Sequence, residues 1–252
     1  DGRKPESIAI VHCVGSRDKN YNEYCSSICC MQSLKFAHLA HEKSGAQVYN
    51  FYIDIRTTQK DYEEFYNRVL DEGATFIRGK VGEITNIART PEEEGKLVVQ
   101  AFDTLAGVQR RVPVDMVILS AGLEPRKDSV DVGKLFGIAC GGHGWMIERH
   151  PKLDPVATMT DGVYIAGCAQ GPKDIPASVS QGAAAAARVN AKVQQGHVLL
   201  EPIQASINED ICSGCRICNE LCPFSAITFD EEKEISAVNS ALCQGCGTCV
   251  AA

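Results

Sequence analysis

The chain has 252 residues, of which 44% are hydrophobic and 23% are charged, and this ordinary globular composition excludes a largely disordered polypeptide. Its formal net charge of −7 leaves no basic surface to neutralise phosphates, so we expect no nucleic-acid partner. No apolar stretch approaches the roughly 18 residues that a membrane-spanning helix needs, so we expect no membrane span.

The cysteine content indicates the cellular setting. Thirteen cysteines are present, an odd number, and six of them stand in short C-x2-C steps. No export signal precedes them, and such spacing in an intracellular chain favours metal ligation over disulfides. We therefore expect a cytoplasmic, anaerobic protein. The sequence opens on Asp1 without an initiator methionine, so we also expect a fragment of a longer polypeptide.

The first elements alternate between strands and helices. Residues 7–14 form an apolar, β-branched run typical of a buried strand, and residues 26–43 carry apolar side chains at helical spacing. A strand over 46–55, a helix over 59–70 and a strand over 74–77 complete the series. This βαβαβ order predicts a right-handed, parallel, Rossmann-like domain over residues 1–80.

A β-rich stretch and then a Cys-rich stretch follow. Strand-like alternation or burial predicts strands at 81–88, 97–103, 108–114, 115–120 and 162–166, and helical spacing predicts a long helix over 177–194. Residues 201–202 resemble a linker. The predicted fold class is thus α/β, with a parallel-sheet domain, a β-rich segment over 81–200 and a small α+β domain over 201–252.

The C-terminal cysteines repeat the bacterial ferredoxin pattern C-x2-C-x2-C-x3-C-P. The first run is Cys212, Cys215, Cys218 and Cys222, and the second run is Cys243, Cys246 and Cys249, which begins 31 residues later. In two-cluster ferredoxins the fourth Cys of each run ligates the other [4Fe–4S] cluster, so we predict that Cys222 joins the second run. The repeat places the missing partner at position 253, so the first-run cluster should lack its fourth ligand in this chain. A zinc ribbon is the alternative, but it would leave Cys218, Cys222 and Cys249 unexplained.

The predicted Rossmann-like domain lacks the signature of a dinucleotide site. A G-x-G-x-x-G turn would normally follow the first strand and cradle a pyrophosphate. The sequence there is HCVGSRDKNYNEYCSSICCMQSLK, with four cysteines: Cys13, Cys25, Cys29 and Cys30. We predict that they converge at the positive end of the following helix, with Cys25 and Cys29 on one helical face, and bind a [4Fe–4S] cluster instead of a nicotinamide cofactor. Zinc and structural or redox thiols are the alternatives.

These motifs, together with DMVILSAGLEP and DGVYIAGCAQGPKDIPASVSQGAAAA, resemble the A subunit of heterodisulfide reductase and its bacterial homologues, in their C-terminal part. The resemblance implies an oxidoreductase subunit with a thioredoxin-reductase-like core that binds FAD, three [4Fe–4S] clusters within this chain, and flavin-based electron bifurcation. It implies as partners the other subunits of a heterodisulfide-reductase-type complex, hydrogenase or formate dehydrogenase subunits and ferredoxin, with a homodimer inside the larger assembly.

The resemblance also implies half of an FAD-binding domain in residues 81–200. Gly122 would lie in the turn that returns to that domain, and Gly167 and Cys168 would end its second FAD motif, where Cys168 replaces the usual Asp. The implied flavin contacts continue with a ring donor, Lys173, and with the amides and dipole of the helix opened by Asp174, Ile175, Pro176, Ala177 and Ser178. A solvated turn for Lys173 and Asp174, and a structural or redox role for Cys168 and Cys140, are the alternatives.

Two other functions stay open on the sequence alone. The clusters could form an electron-transfer adaptor without an active flavin, and flavin content would separate this from bifurcation. An NAD(P)H-dependent flavin reductase of the thioredoxin-reductase type is the other function, and the missing glycine turn argues against it.

Overall fold

A computed structural model describes residues 2, 4–196 and 202–252. The chain divides into two compact units, Asp1–Glu124 and Pro125–Ala252. The predicted linker at 201–202 includes Glu201, which lies outside the described residues. The three domains expected from the sequence stay a prediction.

The first unit alternates strands and helices before an antiparallel segment. Its elements in chain order are β1 (Ser7–Val14), α1 (Cys29–Ser44), β2 (Gln47–Tyr52), α2 (Tyr62–Asp71), β3 (Thr75–Arg78), β4 (Val81–Thr85), β5 (Leu97–Asp103), β6 (Val108–Val114) and β7 (Met116–Ala121). A parallel sheet has the order β3-β2-β1-β7, and β4-β5-β6 form an antiparallel sheet. The predicted α/β fold class with a Rossmann-like parallel sheet is confirmed.

Both faces of β1 are covered, which explains its continuous apolar sequence. Successive side chains of a strand point to opposite faces. Ile8 and Ile10 pack with Leu34 of α1 in one buried cluster. Ala9 packs on the other face with Val99 of β5 in a second buried cluster. The first half of β1 is therefore packed between two layers of structure.

A buried ion pair holds the antiparallel sheet together. Glu93 lies between β4 and β5, and Arg111 of β6 donates to its two carboxylate oxygens from Nε and Nη2, each at 2.8 Å. Chiefly because of Arg111, and also because the Arg89 N–H donates to it, the pKa of Glu93 is lowered to about 2. The folded pKa is below the unfolded value of about 4.3. The pair therefore stabilises the fold above the unfolded pKa, and this contribution is lost as the pH falls towards 2.

We expect Glu93→Gln to lower the thermal unfolding midpoint at pH 7, with a deficit that shrinks as the pH falls from about 4.5 to about 2. Circular dichroism across that range measures the midpoints. Glu92→Gln, at an exposed neighbouring position, is the matched control and should have little effect. A deficit of the same size at every pH would mean that the carboxylate charge of Glu93 is not what stabilises the sheet.

The second unit has more helix and less sheet. Its elements are α3 (Ser129–Phe136), α4 (Ile175–Gln195), α5 (Ile217–Leu221), β8 (Ile227–Asp230) and β9 (Ile235–Val238), and the last two strands form an antiparallel hairpin. α4 confirms the predicted long helix and has no buried residue. Among the described residues, no helix combines the length and the apolar character needed to cross a membrane.

The predicted strand over residues 162–166 is wrong. The segment forms a single antiparallel bridge, between Ala157 and Tyr164, and no ladder. The chain turns between Ala157 and Tyr164, and within this turn the Thr158 hydroxyl lies 2.9 and 3.0 Å from the carbonyl oxygens of Thr160 and Val163. Apolar sequence alone does not make a strand where the chain turns back within a few residues.

Candidate iron–sulfur and flavin sites

The first candidate site lies at the carboxyl end of β1, where sheets of this kind bind their ligands. Cys13 is near the end of β1, Cys29 and Cys30 open α1, and all three are buried. Cys25 is half-buried. The prediction that Cys25 and Cys29 share a helical face is wrong, because α1 begins at Cys29 and Cys25 lies in the loop before it.

The four thiols of this site are electrostatic neighbours. The pKa of Cys29 is raised to about 11, first by burial and then by the thiols of Cys13, Cys30 and Cys25. Burial also raises the pKa of Cys30, and Cys13 and Cys25 add to the shift. Buried thiols such as those of Cys29 and Cys30 favour the neutral form unless a nearby cation stabilises the thiolate.

The surroundings of the four thiols come from three strands and a helix. The thiol of Cys29 donates to the carbonyl of Ala121, at the end of β7, and that of Cys30 to the carbonyl of Asp54, after β2, each at 3.8 Å. The N–H of Ser27 donates to the sulfur of Cys25 at 3.3 Å. α1 begins with no side-chain cap, at Ile28, and has no acidic residue in its first turn. The positive end of its dipole therefore faces the sulfur atoms.

Two buried serines connect the loops around the four thiols. The hydroxyls of Ser16 and Ser26 lie 2.7 Å apart, and Ser26 Oγ accepts from the N–H of Leu123 at 2.8 Å. Gly122 fits against them, since a Cβ there would lie 2.1 Å from Ser16 Oγ and 3.0 Å from Ser26 Oγ. The structure thus places Gly122, which the resemblance assigned to the flavin, beside the four-cysteine site. A flavin contact of Gly122 stays a prediction.

We expect Gly122→Ala to destabilise the first unit and to lower its iron content, because the added methyl group must displace the Ser16 hydroxyl. Replacing Ser16 with Ala as well removes the obstructing oxygen and should restore much of the loss. Gly82→Ala is the control, because nothing lies within 4 Å of a Cβ at Gly82. Thermal unfolding and iron analysis provide the readouts. If the double variant is no better than Gly122→Ala alone, the steric explanation fails.

The second candidate site joins Cys222 to the second run. One pocket is lined by Cys222 together with Cys243, Cys246 and Cys249, and its wall includes the apolar residues Ile203, Ala226, Ile227 and Val238. The pKa of Cys249 is raised by burial and then by Cys222, Cys246 and Cys243. The N–H of Ala226 donates to Cys222 Sγ at 3.3 Å. The four sulfur atoms therefore share one apolar pocket.

The first run forms a tight loop that leads into α5. Gly214 has a positive φ of 67°, and a Cβ there would lie 2.5 Å from the carbonyl oxygen of Glu234. The pKa of Cys215 is lowered by the N–H of Ile217 and by the Ser213 hydroxyl. Cys212 and Cys218 are half-buried. The expectation that a first-run cluster lacks a fourth ligand in this chain stays a prediction.

Within the described ranges, no three His, Cys, Asp or Glu side chains are arranged as the ligands of a metal ion. In a [4Fe–4S] cluster each cysteine thiolate binds a different iron, so the four cysteine sulfur atoms lie farther apart than the ligands of a single metal ion. Ligation by any of the eleven cysteines of these three groups therefore stays a prediction, supported by their proximity.

The predicted flavin contacts of the second unit cluster around the start of α4. The N–H of Gly167 donates to Gln181 Oε1 at 2.7 Å, and the thiol of Cys168, which is exposed, donates to the Lys173 carbonyl at 3.5 Å. Lys173 is half-buried, and burial lowers its pKa while Cys168 and Glu148 oppose that shift. Hydrogen bonds thus link Gly167 to α4 and Cys168 to Lys173, which directly precedes α4.

The amides at the start of α4, which the resemblance assigned to the flavin, are mostly occupied within the chain. Asp174 caps the helix, and its Oδ1 accepts from the N–H of Ala177 at 2.9 Å. The N–H of Ser178 donates to the Asp174 carbonyl at 3.0 Å, and Pro176 has no N–H. Ile175 is exposed. The dipole of α4, rather than its amides, is what this end offers to an anion.

Part of the chain is similar to known iron–sulfur proteins. A family model described as "4Fe-4S dicluster domain" matches residues 204–252. The chain is 46% identical over 235 residues to the A subunit of the "H(2)/formate:CoB-CoM heterodisulfide,ferredoxin reductase" of Methanococcus maripaludis, covering 92% of this chain and 35% of that protein. It is 44% identical over 235 residues to an Archaeoglobus profundus protein named as similar to the A subunit of heterodisulfide reductase, covering 93% and 33%.

The chain thus spans about a third of the length of the curated relatives it matches. Among solved structures, T. acidophilum thioredoxin reductase matches with a TM-score of 0.46 and 16% identity, over 76% of this chain and 54% of that one.

Proposed function

We propose, from its homology to part of the A subunit of heterodisulfide reductases, that this chain passes electrons between FAD and [4Fe–4S] clusters within an oxidoreductase complex. The family resemblance expected from the sequence motifs is confirmed by these identities. The finer proposal is flavin-based electron bifurcation, in which electron pairs taken up by a flavin leave singly along separate paths.

The observation that carries this proposal is the convergence of four cysteines at the carboxyl end of β1. A nicotinamide bound at that place would deliver electrons in pairs as hydride, whereas an iron–sulfur cluster accepts and donates them singly. The sequence there offers no glycine turn to cradle a pyrophosphate. Cys13, Cys25, Cys29 and Cys30 would hold the cluster, and the start of α1 would stabilise its negative charge.

The second unit supports the flavin part of the proposal. FAD, when bound, supplies the exchange between paired and single electrons. Lys173 would donate to the flavin ring from its half-buried position, and the positive end of α4 would stabilise negative charge on the ring. Cys168, exposed beside Lys173, would replace the usual Asp of the motif.

The proposed partners follow from the relatives. The name of the Methanococcus maripaludis protein mentions H(2), formate and ferredoxin. This supports partnership with other subunits of a heterodisulfide-reductase-type complex, with hydrogenase or formate dehydrogenase subunits and with ferredoxin. A cytoplasmic homodimer within such an assembly is part of the same proposal.

Anaerobic purification followed by flavin and iron analysis tests the proposal. We expect bound FAD, and clusters that dithionite reduces but NADPH does not, because the pyrophosphate cradle is missing. Absorption and electron paramagnetic resonance spectra measure both. Clusters without any flavin would favour the electron-transfer adaptor, and rapid reduction by NADPH would favour the flavin reductase. Either result would contradict the proposed function.

A further inference from the structure

Arg17 occupies an unusual position in the loop between Cys13 and Cys25. Its φ is +54°, which a residue other than glycine adopts only where its surroundings hold it. Its N–H donates to the carbonyl of Tyr24 at 3.0 Å, and its side chain is only 19% exposed. The loop therefore turns a long cationic side chain inward, which is uncommon without a partner for the charge.

The guanidinium of Arg17 pairs with Asp54 on one side. Its Nη2 donates to Oδ2 of Asp54 at 2.8 Å, and Arg78 reaches Oδ1 of the same carboxylate at 3.4 Å. Asp54 in turn lies at the edge of the four-cysteine site, because its carbonyl accepts from the thiol of Cys30. A planar guanidinium held by one carboxylate keeps its remaining N–H groups in fixed directions.

The other side of the guanidinium meets the four-cysteine site. Nη1 of Arg17 is buried and has no hydrogen-bond partner in the part of the chain that the structure describes. A side-chain hydrogen bond joins Arg17 to Cys13, so the guanidinium reaches the edge of the four-cysteine site. Cys25 also lies within electrostatic range of the Arg17 guanidinium. Since buried donors are nearly always satisfied, this one indicates an acceptor at the sulfur site.

We propose that Arg17 is a positioning residue of the four-cysteine site, where its Nη1 donates to a sulfur atom of the [4Fe–4S] group and its charge raises the reduction potential of that group. This inference rests on the proposed function. Reduction adds one electron from the donor and breaks no bond, so the cluster gains one negative charge. A fixed cation nearby favours the reduced form over the oxidised one, and hydrogen bonds to the sulfurs act in the same direction.

Arg17→Gln in the intact protein tests this inference. We expect iron content to stay at the wild-type value and the equilibrium constant for cluster reduction to fall about tenfold, which corresponds to about 59 mV for one electron. A redox titration followed by electron paramagnetic resonance measures the midpoint, and the signal that Cys29→Ala removes identifies the cluster. Arg78→Gln is the charge-matched control, because Arg78 binds the same carboxylate but is 45% exposed, and its midpoint should stay close to wild type.

Asp54→Asn provides a second measurement with the opposite sign. It removes the negative charge that partly cancels the charge of Arg17, so we expect the reduction midpoint of the cluster to rise. This variant tests the role of Arg17 if Arg17→Gln does not retain the cluster. An unchanged midpoint in Arg17→Gln with full iron, or in Asp54→Asn, overturns the role of Arg17. An absent Cys29-dependent signal in the wild-type protein overturns the proposed cluster itself, so the two failures are distinguishable.

Discussion

Replacing Cys29 with Ala should remove about four irons from each chain and leave the clusters of the two C-terminal runs in place. Cys29 is 6% exposed and lies among the thiols of Cys13, Cys30 and Cys25, so no solvent ligand has easy access to its position. Loss of one thiolate from a buried cluster leaves an iron without a ligand in an environment that disfavours charge. Iron and acid-labile sulfide analysis of anaerobically purified protein measure the change.

The matched control for Cys29→Ala is Cys140→Ala. Cys140 is a half-buried cysteine of the second unit that belongs to none of the three cysteine groups. We expect its iron content to equal that of the wild type. Loss of a single zinc instead of iron would support the zinc alternative, and unchanged metal content in Cys29→Ala would leave structural or redox thiols as the explanation of the site.

Pairs of substitutions should show which cluster Cys222 serves. We expect Cys222→Ala and Cys249→Ala each to lose about four irons, and the double variant to lose no more, because both thiols would hold the same cluster. Cys222→Ala combined with Cys215→Ala should lose about eight, because those thiols would hold different clusters. The shared pocket of Cys222, Cys243, Cys246 and Cys249 is the reason for this expectation.

The opposite pattern would contradict the exchange of ligands between runs. If Cys222 ligates the cluster of its own run, its combination with Cys215→Ala would lose no more iron than either change alone. Its combination with Cys249→Ala would then show the larger loss. Iron analysis on the same preparations distinguishes the two patterns without any assay of activity.

Much of the first unit was predictable because its signals are local. β1, β5 and β6 have the bounds that their apolar or alternating sequences predict. The second unit differs more from the elements that its sequence predicts. α3 was not predicted, because Gly133 lowers helix propensity in the middle of the segment. The structure explains this glycine, since a Cβ there would lie 2.9 Å from both Cys140 Sγ and the Ile138 carbonyl.

The start of α1 shows where local sequence is insufficient. Helical spacing predicts a start at residue 26, but the helix begins at Cys29. Ser26 is used for a different purpose, because its hydroxyl contacts Ser16 and accepts from Leu123, which is 97 residues away in the sequence. A contact at such a separation leaves no periodic signal in the sequence.

The sequence predicts which cysteines group together at the candidate site, but it does not predict their surroundings. Cysteine spacing is a strong local signal. In the structure Cys13, Cys25 and Cys30 lie within electrostatic range of Cys29, and Cys222, Cys243 and Cys246 lie within range of Cys249, while ligation by either set stays a prediction. Arg17 had a weak signal, a cation in the loop between two cysteines. Its partner Asp54 lies 37 residues away in the sequence, just after β2, and such a contact leaves no local signal.

We expect Cys13, Cys25, Cys29 and Cys30 to hold a [4Fe–4S] cluster where a dinucleotide would otherwise bind. Anomalous diffraction at the iron absorption edge, from crystals grown without oxygen, tests it most directly. We predict a compact anomalous peak bonded to the sulfur atoms of all four residues, with the guanidinium of Arg17 beside it. Four unliganded sulfur atoms without iron density, or a dinucleotide bound at the end of β1, would contradict it.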